Sequence, residues 1–388
     1  MRIISERMKD IPPSGTLKML AKSKELEQKG RKIINLSVGQ PDFDTPEHIK
    51  EAAIDALKEG FTKYTSSQGI PELLMAIAED TSKGDVSITP KNVIVTPGAK
   101  HAILLAMFAI LNSGDEVLIP TPAWPTYFTT IKMAGGIDVQ IPVDTYNESI
   151  IEKLRDGITN KTKMILINSP SNPLGDVMDK DVLNAIYQLA VEHNLVILSD
   201  EIYQKLVYDI GERAATILSI DKKCERTIII NGFSKAYSMT GWRLGYAVAS
   251  PEIVQSMIRI QQNSTTCPTS FVQVAGVAAL QGSQEPVKRM VERFNERRKE
   301  IARLLNSIDG VRCNLPTGAF YVFPDFSELK LPSETFALRL LESKGVATAP
   351  GAVFGKGGEY HLRLSYANSL EEIGRGAILI KELVEEEI

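Results

Sequence analysis

RTIIINGFSKAYSMTGWRLGYAVA, residues 226–249, holds two hydrophobic runs, Arg226–Asn231 and Leu244–Ala249. A loop of small and polar residues carrying Lys235 and Arg243 separates them. The first is rich in β-branched residues and both have few polar interruptions, the pattern of strands covered by helices on both faces. Five similar runs precede them: Asn92–Thr96, Glu116–Pro120, Asp138–Pro142, Lys163–Asn168 and Leu195–Ser199. Between these lie helical patterns such as Lys100–Leu111, Trp124–Ala134 with a turn at Pro125, and Asp179–His193. Such alternation marks βαβ units. The expected fold is α/β, a mostly parallel sheet of seven strands flanked by helices, spanning residues 46–284.

From Glu285 the texture changes. Glu285–Ser307 reads as one long amphipathic helix, with Val287, Met290, Val291, Phe294, Ile301, Leu304 and Leu305 at helical spacing. A strand pair around Val311–Asn314 and Phe320–Phe323, a helix Ser333–Lys344, a strand His361–Tyr366 and a closing helix from Leu370 follow. These predict a smaller α+β domain over 285–388. Residues 1–45 show no sheet partner of their own and are expected to join that domain as an N-terminal arm or to reach a neighbouring subunit.

Composition narrows the function. Lys and Arg number 44 against 48 Asp and Glu, a net charge of −4, which leaves no basic face for nucleic acid. The longest apolar run, Ala102–Leu111, is well short of the roughly 18 residues that suggest a membrane span. The charged start MRIISERMKD is unlike a secretory signal. Three scattered cysteines, Cys224, Cys267 and Cys313, fit a reducing compartment, so a cytoplasmic location is expected. His48, His101, His193 and His361 share no metal-ligand spacing, and no metal is expected. GKGG at 355–358 precedes a strand and reads as a loop.

In open α/β sheets ligands gather at the carboxyl ends of the strands. After Asn92–Thr96 come Pro97, Gly98, Ala99 and Lys100, a tight turn into a helix N-terminus whose free N–H groups suit an anion; alone it reads as an ordinary turn. After Lys163–Asn168 a proline-rich loop aims the Asn172 amide; alone it is a turn. After Leu195–Ser199 stands Asp200, either a helix cap or a desolvated carboxylate that needs a donor partner. After Arg226–Asn231 stands Lys235, flanked by small residues and placed for burial, which lowers an amine's pKa and prepares it to attack a carbonyl. Arg243 offers a bidentate fork for phosphate or carboxylate. Anion site, amide, carboxylate and lysine at four ends of one sheet point to a phosphorylated cofactor bound as an imine.

GFSKAYSMTGWRLGY resembles the lysine signature of the class I/II aminotransferases, enzymes of pyridoxal 5'-phosphate. LSVGQPDFDTP, KYTSSQGIPELL, TPGAKHAI, PTPAWPTY, NSPSNPLG, SDEIY, PTGAFYVF and LRLSYA resemble the family's other motifs, in its order and across nearly the whole chain. The resemblance implies the fold type I transferase architecture. By the same resemblance Lys235 would form the Schiff base and shuttle the proton at the substrate's Cα. Asp200 would pair with the pyridine nitrogen, and Tyr203 and Asn172 would bond the ring's 3-oxygen. Arg243, Ser234 and the backbone at Gly98, Ala99 and Lys100 would hold the phosphate. Trp124 would stack on the ring, Tyr64 would reach the phosphate of a neighbouring subunit, and Arg363 with the Gly39 backbone would clamp the substrate's α-carboxylate. The plainer alternatives are core for Trp124, an interface residue for Tyr64, and packing for Phe320 and Tyr321, with the functional reading of Trp124 favoured over its alternative. Leu174 stands where the family carries Thr, and Gly232 replaces a common phosphate-binding hydroxyl, so one phosphate contact is expected to be missing.

The implied activity is ping-pong transamination between an L-amino acid and a 2-oxo acid. The chain resembles the prokaryotic type of aspartate aminotransferase, in which Lys100, Ser14 and Thr16 would read a side-chain carboxylate; their plainer readings are a surface lysine and a helix cap. Aspartate or glutamate with 2-oxoglutarate is therefore expected. The alternatives are an aromatic, branched-chain or broad enzyme that also accepts prephenate, a C–S lyase, and a cofactor-binding regulator. Tyr64 with 263–270 looks suited to complete a partner's site, so a homodimer is expected.

Overall fold

The computed structural model describes residues 3–9, 11, 13, 15–82, 85–145 and 149–387, the side chains of 6, 7 and 15–18 excepted. A short strand, β1 (Ile34–Asn35), comes first. The seven strands of the central sheet follow: β2 (Val93–Thr96), β3 (Glu116–Thr121), β4 (Ile137–Pro142), β5 (Thr162–Asn168), β6 (Val196–Asp200), β7 (Thr227–Gly232) and β8 (Gly245–Val248). Their order across the sheet is β2-β8-β7-β6-β5-β3-β4, and β8 alone runs antiparallel to its neighbours. All seven expected runs are therefore strands of one sheet.

Alternation along each strand sends side chains to two opposite cores. Val93 and Val95 of β2, with Ile229 of β7, join the cluster containing Leu73, Ile77 and Leu183. Ile94, Ile228 and Ile230 face the other way, onto Ala102, Met107 and Met257. Both faces are covered by helices, so neither could tolerate polar residues.

Glycines set one close approach that matters for function. Gly232 and Gly245 are paired residues of β7 and β8, and a Cβ on Gly232 would lie 2.9 Å from the Gly245 Cα. A Cβ on Gly245 would strike the backbone nitrogen of Ala99, where helix Ala99–Ile110 begins. The missing hydroxyl at position 232 has this physical reason: no side chain fits there.

A third cluster gathers Met19, Leu26, Ile34 and Leu36 with Phe294, Phe320, Leu340, Leu364 and Ile380. Four strands serve it: β1, β9 (Tyr321–Val322), β10 (Val346–Ala347) and β12 (Leu362–Ser365), with β11 (Ala349–Pro350) alongside. Two sequence expectations need correction here. First, β1 does have a sheet partner, the parallel strand β10, through Ile34↔Val346 and Asn35↔Ala347. Two residues are too short to show a period. Second, Phe320–Phe323 does not pair with Val311–Asn314 in a strand ladder: β9 lies antiparallel to β12, and Arg312 makes only an isolated bridge to Asp325. The Asn306 side chain takes both backbone groups of Cys313, its Nδ2 donating to the carbonyl (2.8 Å) and its Oδ1 accepting from the N–H (3.0 Å). With those groups taken, Cys313 does not extend the Arg312–Asp325 bridge into a ladder. The expected helix Ser333–Lys344 is an α-helix to Arg339 that widens into a π-turn over Leu340–Lys344.

Candidate active site

Six parallel strands deliver their carboxyl ends to one side of the sheet, and there lies a cavity of about 360 Å³. After β2 the chain turns at Gly98, whose φ of +86° suits glycine. A Cβ there would come within 2.9 Å of the Arg243 Cζ. The absent side chain thus lets the Arg243 guanidinium lie against the turn that opens helix Ala99–Ile110. Arg243 Nη1 also donates to the Thr240 carbonyl at 2.8 Å. Ala99, Lys100, Ser234 and Arg243 all line the cavity. Free N–H groups at the start of a helix beside a guanidinium make a phosphate-sized anion site.

At the end of β5, Asn168 braces two neighbours. Its Nδ2 donates to the Asp200 carbonyl (2.9 Å) and its Oδ1 accepts the Asn172 N–H (2.9 Å). Asn172 Oδ1 in turn accepts from Arg363 Nη1 at 3.1 Å. Arg363, carried by β12, is 4% exposed. Its Nη2 donates to the Ser37 carbonyl (2.5 Å), and its guanidinium lies 4.5 Å from the centre of the Tyr321 ring. Its Nε is buried with no hydrogen-bond partner among the described residues.

At the end of β6, Asp200 is buried, accepting from the Tyr127 hydroxyl at 2.7 Å and the Ile202 N–H at 3.1 Å. Burial pushes its pKa up to about 6 despite those donors and the nearby Lys235. The Tyr203 hydroxyl shares a 2.9 Å hydrogen bond with that of Tyr321. After β7, the Lys235 amine donates to the Gly39 carbonyl at 2.6 Å. Burial, then the charges of Arg363 and Arg243, lower its pKa to about 8, with Asp200 opposing. Lys100 Nζ sits 4.9 Å above the half-buried Trp124 ring, its pKa lowered by partial burial and by Arg243.

The structure therefore brings together Gly39, Gly98, Ala99, Lys100, Trp124, Asn172, Asp200, Tyr203, Ser234, Lys235, Arg243 and Arg363. Tyr64 stays apart from its own chain's cavity, 87% exposed. Ser14 and the Thr16 side chain lie outside the described residues; from the arm, Leu20 reaches the cavity. Tyr127 and Asn168 escaped the sequence reading, and Tyr321, read there as packing, lines the cavity with them. Each stands inside a quoted motif, PTPAWPTY, NSPSNPLG and PTGAFYVF, so the motifs were the available signal.

The description Aminotransferase class I and II fits residues 31–377 of this sequence. The chain belongs to that family. It is 42% identical to the aspartate aminotransferase of Bacillus subtilis over 98% of this chain and 99% of that one. It is 38% identical to aromatic-amino-acid aminotransferase 2 of Thermococcus litoralis over 99% of this chain and 98% of the relative. The solved structure of Thermus thermophilus aspartate aminotransferase with maleate superposes with a TM-score of 0.93 at 39% identity, over 99% of this chain and all of that one. The fold is that of the type I pyridoxal phosphate transferases.

Class I and II aminotransferases are pyridoxal phosphate enzymes, and the residues present fit that group. The Gly98 turn leaves room for the Arg243 guanidinium to lie against the start of helix Ala99–Ile110, where a Cβ would intrude. The lysine amine has its pKa lowered toward neutrality, as attack on a carbonyl requires. The orphaned Nε of Arg363 awaits an acceptor. The cavity volume is also within the usual range for a small ligand, roughly 300–1,000 Å³.

Proposed function

We propose that this aminotransferase works on acidic amino acids, taking nitrogen from L-aspartate or L-glutamate and passing it to a 2-oxo acid such as 2-oxoglutarate. The observation that carries the reading is a second cation, Lys100, in the same cavity as Arg363. A dicarboxylate needs two positive ends, and the Thermus relative was solved with one, maleate. Ser14 and Thr16 are proposed to assist at the side-chain carboxylate.

Bound pyridoxal phosphate supplies the carbonyl that captures the amino group and the ring that draws electrons from the substrate's Cα. The chain supplies the rest. Arg243, Ser234 and the backbone at Gly98, Ala99 and Lys100 would hold the phosphate, and Trp124 would stack on the ring. Asp200, anchored by Tyr127, would hold a proton on the ring nitrogen. Tyr203 and Asn172 bond the 3-oxygen. Arg363 and the Gly39 backbone orient the α-carboxylate, and Lys235 Nζ takes the proton from Cα and returns it.

The same reading assigns 46–284 to a large cofactor-binding domain, and 1–45 with 285–388 to an arm and small domain. The cluster shared by Met19, Ile34, Phe320 and Ile380 supports the latter grouping. It also makes the protein a homodimer, since exposed Tyr64 has nothing to reach in its own site. Among the described residues no helix is long and apolar enough to cross a membrane, and three free cysteines suit a cytoplasmic setting.

An absorbance titration of the holoenzyme with L-aspartate and no 2-oxo acid tests the proposal. Conversion of the cofactor to its amino form with stoichiometric oxaloacetate is expected. Conversion by phenylalanine but not aspartate would replace the acidic reading with an aromatic one. Lys100→Met should raise the KM for aspartate at least about tenfold, the worth of one partly desolvated charge contact. The KM for phenylalanine should stay within about twofold in the same steady-state assay.

A further inference from the structure

Tyr203 and Tyr321 are 118 residues apart in sequence, yet their hydroxyls meet at 2.9 Å in a buried setting. Their rings stand edge to face at 5.8 Å. Burial raises the pKa of both phenols, so both remain neutral through the physiological range. A neutral phenol has one proton to donate and lone pairs to accept. One hydrogen bond between two such groups can run either way, and the geometry alone is symmetric.

The symmetry ends once Tyr203 is committed. On the reading above, which this inference rests on, Tyr203 gives its only proton to the cofactor's 3-oxygen. Its bond to Tyr321 must then be one that it accepts. Tyr321 is well held for that part. Arg363 packs on its ring face at 4.5 Å, and Phe320 lies at 4.7 Å. Gly39 leaves space beside the hydroxyl, since a Cβ at position 39 would come within 3.3 Å of the Tyr321 Cζ. A cation over the ring draws electron density from it and makes the O–H a better donor.

We propose that Tyr321 is a positioning residue of the reaction, donating to Tyr203 and so fixing the single Tyr203 proton on the cofactor's 3-oxygen. Chained donors polarise one another, so Tyr203 becomes a stronger donor than it would be alone. A stronger donor stabilises the 3-oxygen as an anion. That lowers the pH at which the bound chromophore loses its proton.

The test is a pH titration of the visible absorbance band of the holoenzyme in four forms: wild type, Tyr203→Phe, Tyr321→Phe and the double variant. Tyr321→Phe keeps the ring under Arg363 and removes only the hydroxyl. The expected result is an upward shift of the midpoint in Tyr203→Phe. Tyr321→Phe should shift upward less, by about 0.3–0.7 unit, a two- to fivefold change in the dissociation constant. The double variant should match Tyr203→Phe alone, because Tyr321 has no other route to the cofactor. An unmoved midpoint in Tyr321→Phe, or shifts that add in the double variant, would overturn the inference while leaving the Tyr203 role intact. An unmoved midpoint in Tyr203→Phe would overturn both.

Discussion

Burial moves Lys235 and Asp200 toward each other on the pH scale, one down to about 8 and the other up to about 6. For the lysine, the nucleophile is the neutral amine. Capture of pyridoxal phosphate by the cofactor-free protein should therefore accelerate as pH rises and level off above about 8, as stopped-flow absorbance would record. Asp200 carries a stability consequence of the opposite sense to an ordinary paired carboxylate. Its folded pKa of about 6 exceeds the ordinary 3.8, so between those values the folded chain keeps a proton that the unfolded chain has lost. Stability from this group is present at low pH and is lost as pH rises through that window. Asp200→Asn should therefore stabilise the cofactor-free protein by about 1–2 kcal/mol at pH 8 and by nearly nothing at pH 4, while abolishing transamination. Urea denaturation at the two pH values checks it. At this scale the sequence showed the residues that end strands or fill distinctive motifs better than those that brace them. Lys235, Asp200, Asn172 and Arg363 stand at strand ends or within distinctive motifs. Tyr127, Asn168 and Tyr321 matter because of contacts 73, 32 and 118 residues away, which no local pattern encodes.

Short elements were legible where both faces are buried and hard to read where a side chain replaces the ladder. The central strands announce themselves because two cores demand continuous apolar runs. The run at 311–314, Val-Arg-Cys-Asn, is half polar, and Asn306 occupies the backbone groups of Cys313. The pairing of β1 with β10 joins residues more than three hundred positions apart through two-residue strands. The turn between β2 and helix Ala99–Ile110 is the element whose geometry function depends on most. Gly98→Ala places a methyl group against the Arg243 guanidinium at a φ of +86°. Strain of this kind costs about 1–3 kcal/mol, and here it displaces the phosphate's cationic partner. Fluorescence titration of the cofactor-free variant should give a Kd for pyridoxal phosphate at least about tenfold weaker than wild type. The midpoint of urea unfolding should change less than that ratio implies, because the turn lies at the rim of the core.

At the scale of the molecule, the cavity draws on segments far apart in the chain, from Leu20 to Arg363. Ser37, Gly39 and Arg363 come from segments packed with the third cluster, whereas Lys235 and Asp200 belong to the central sheet. The Lys235–Gly39 and Asn172–Arg363 hydrogen bonds tie the two sides together. One position expected in the site is missing from this arrangement: Tyr64, held on the surface after helix Glu47–Lys58. An aromatic side chain this exposed stands free to be covered by another chain, which would bury its apolar surface. In a symmetric dimer each subunit would place its Tyr64 at the other's phosphate. That arrangement has a numerical consequence. Lys235→Ala and Tyr64→Ala subunits, each nearly inactive alone, should complement when unfolded together and refolded. Half of the dimers formed at equal mixing are hybrids, and each hybrid has one site with both residues intact. About a quarter of wild-type activity should therefore return, against almost none if each site were built from one chain. Mixing after refolding, without subunit exchange, should restore nothing, which separates shared sites from a trace of wild-type contaminant.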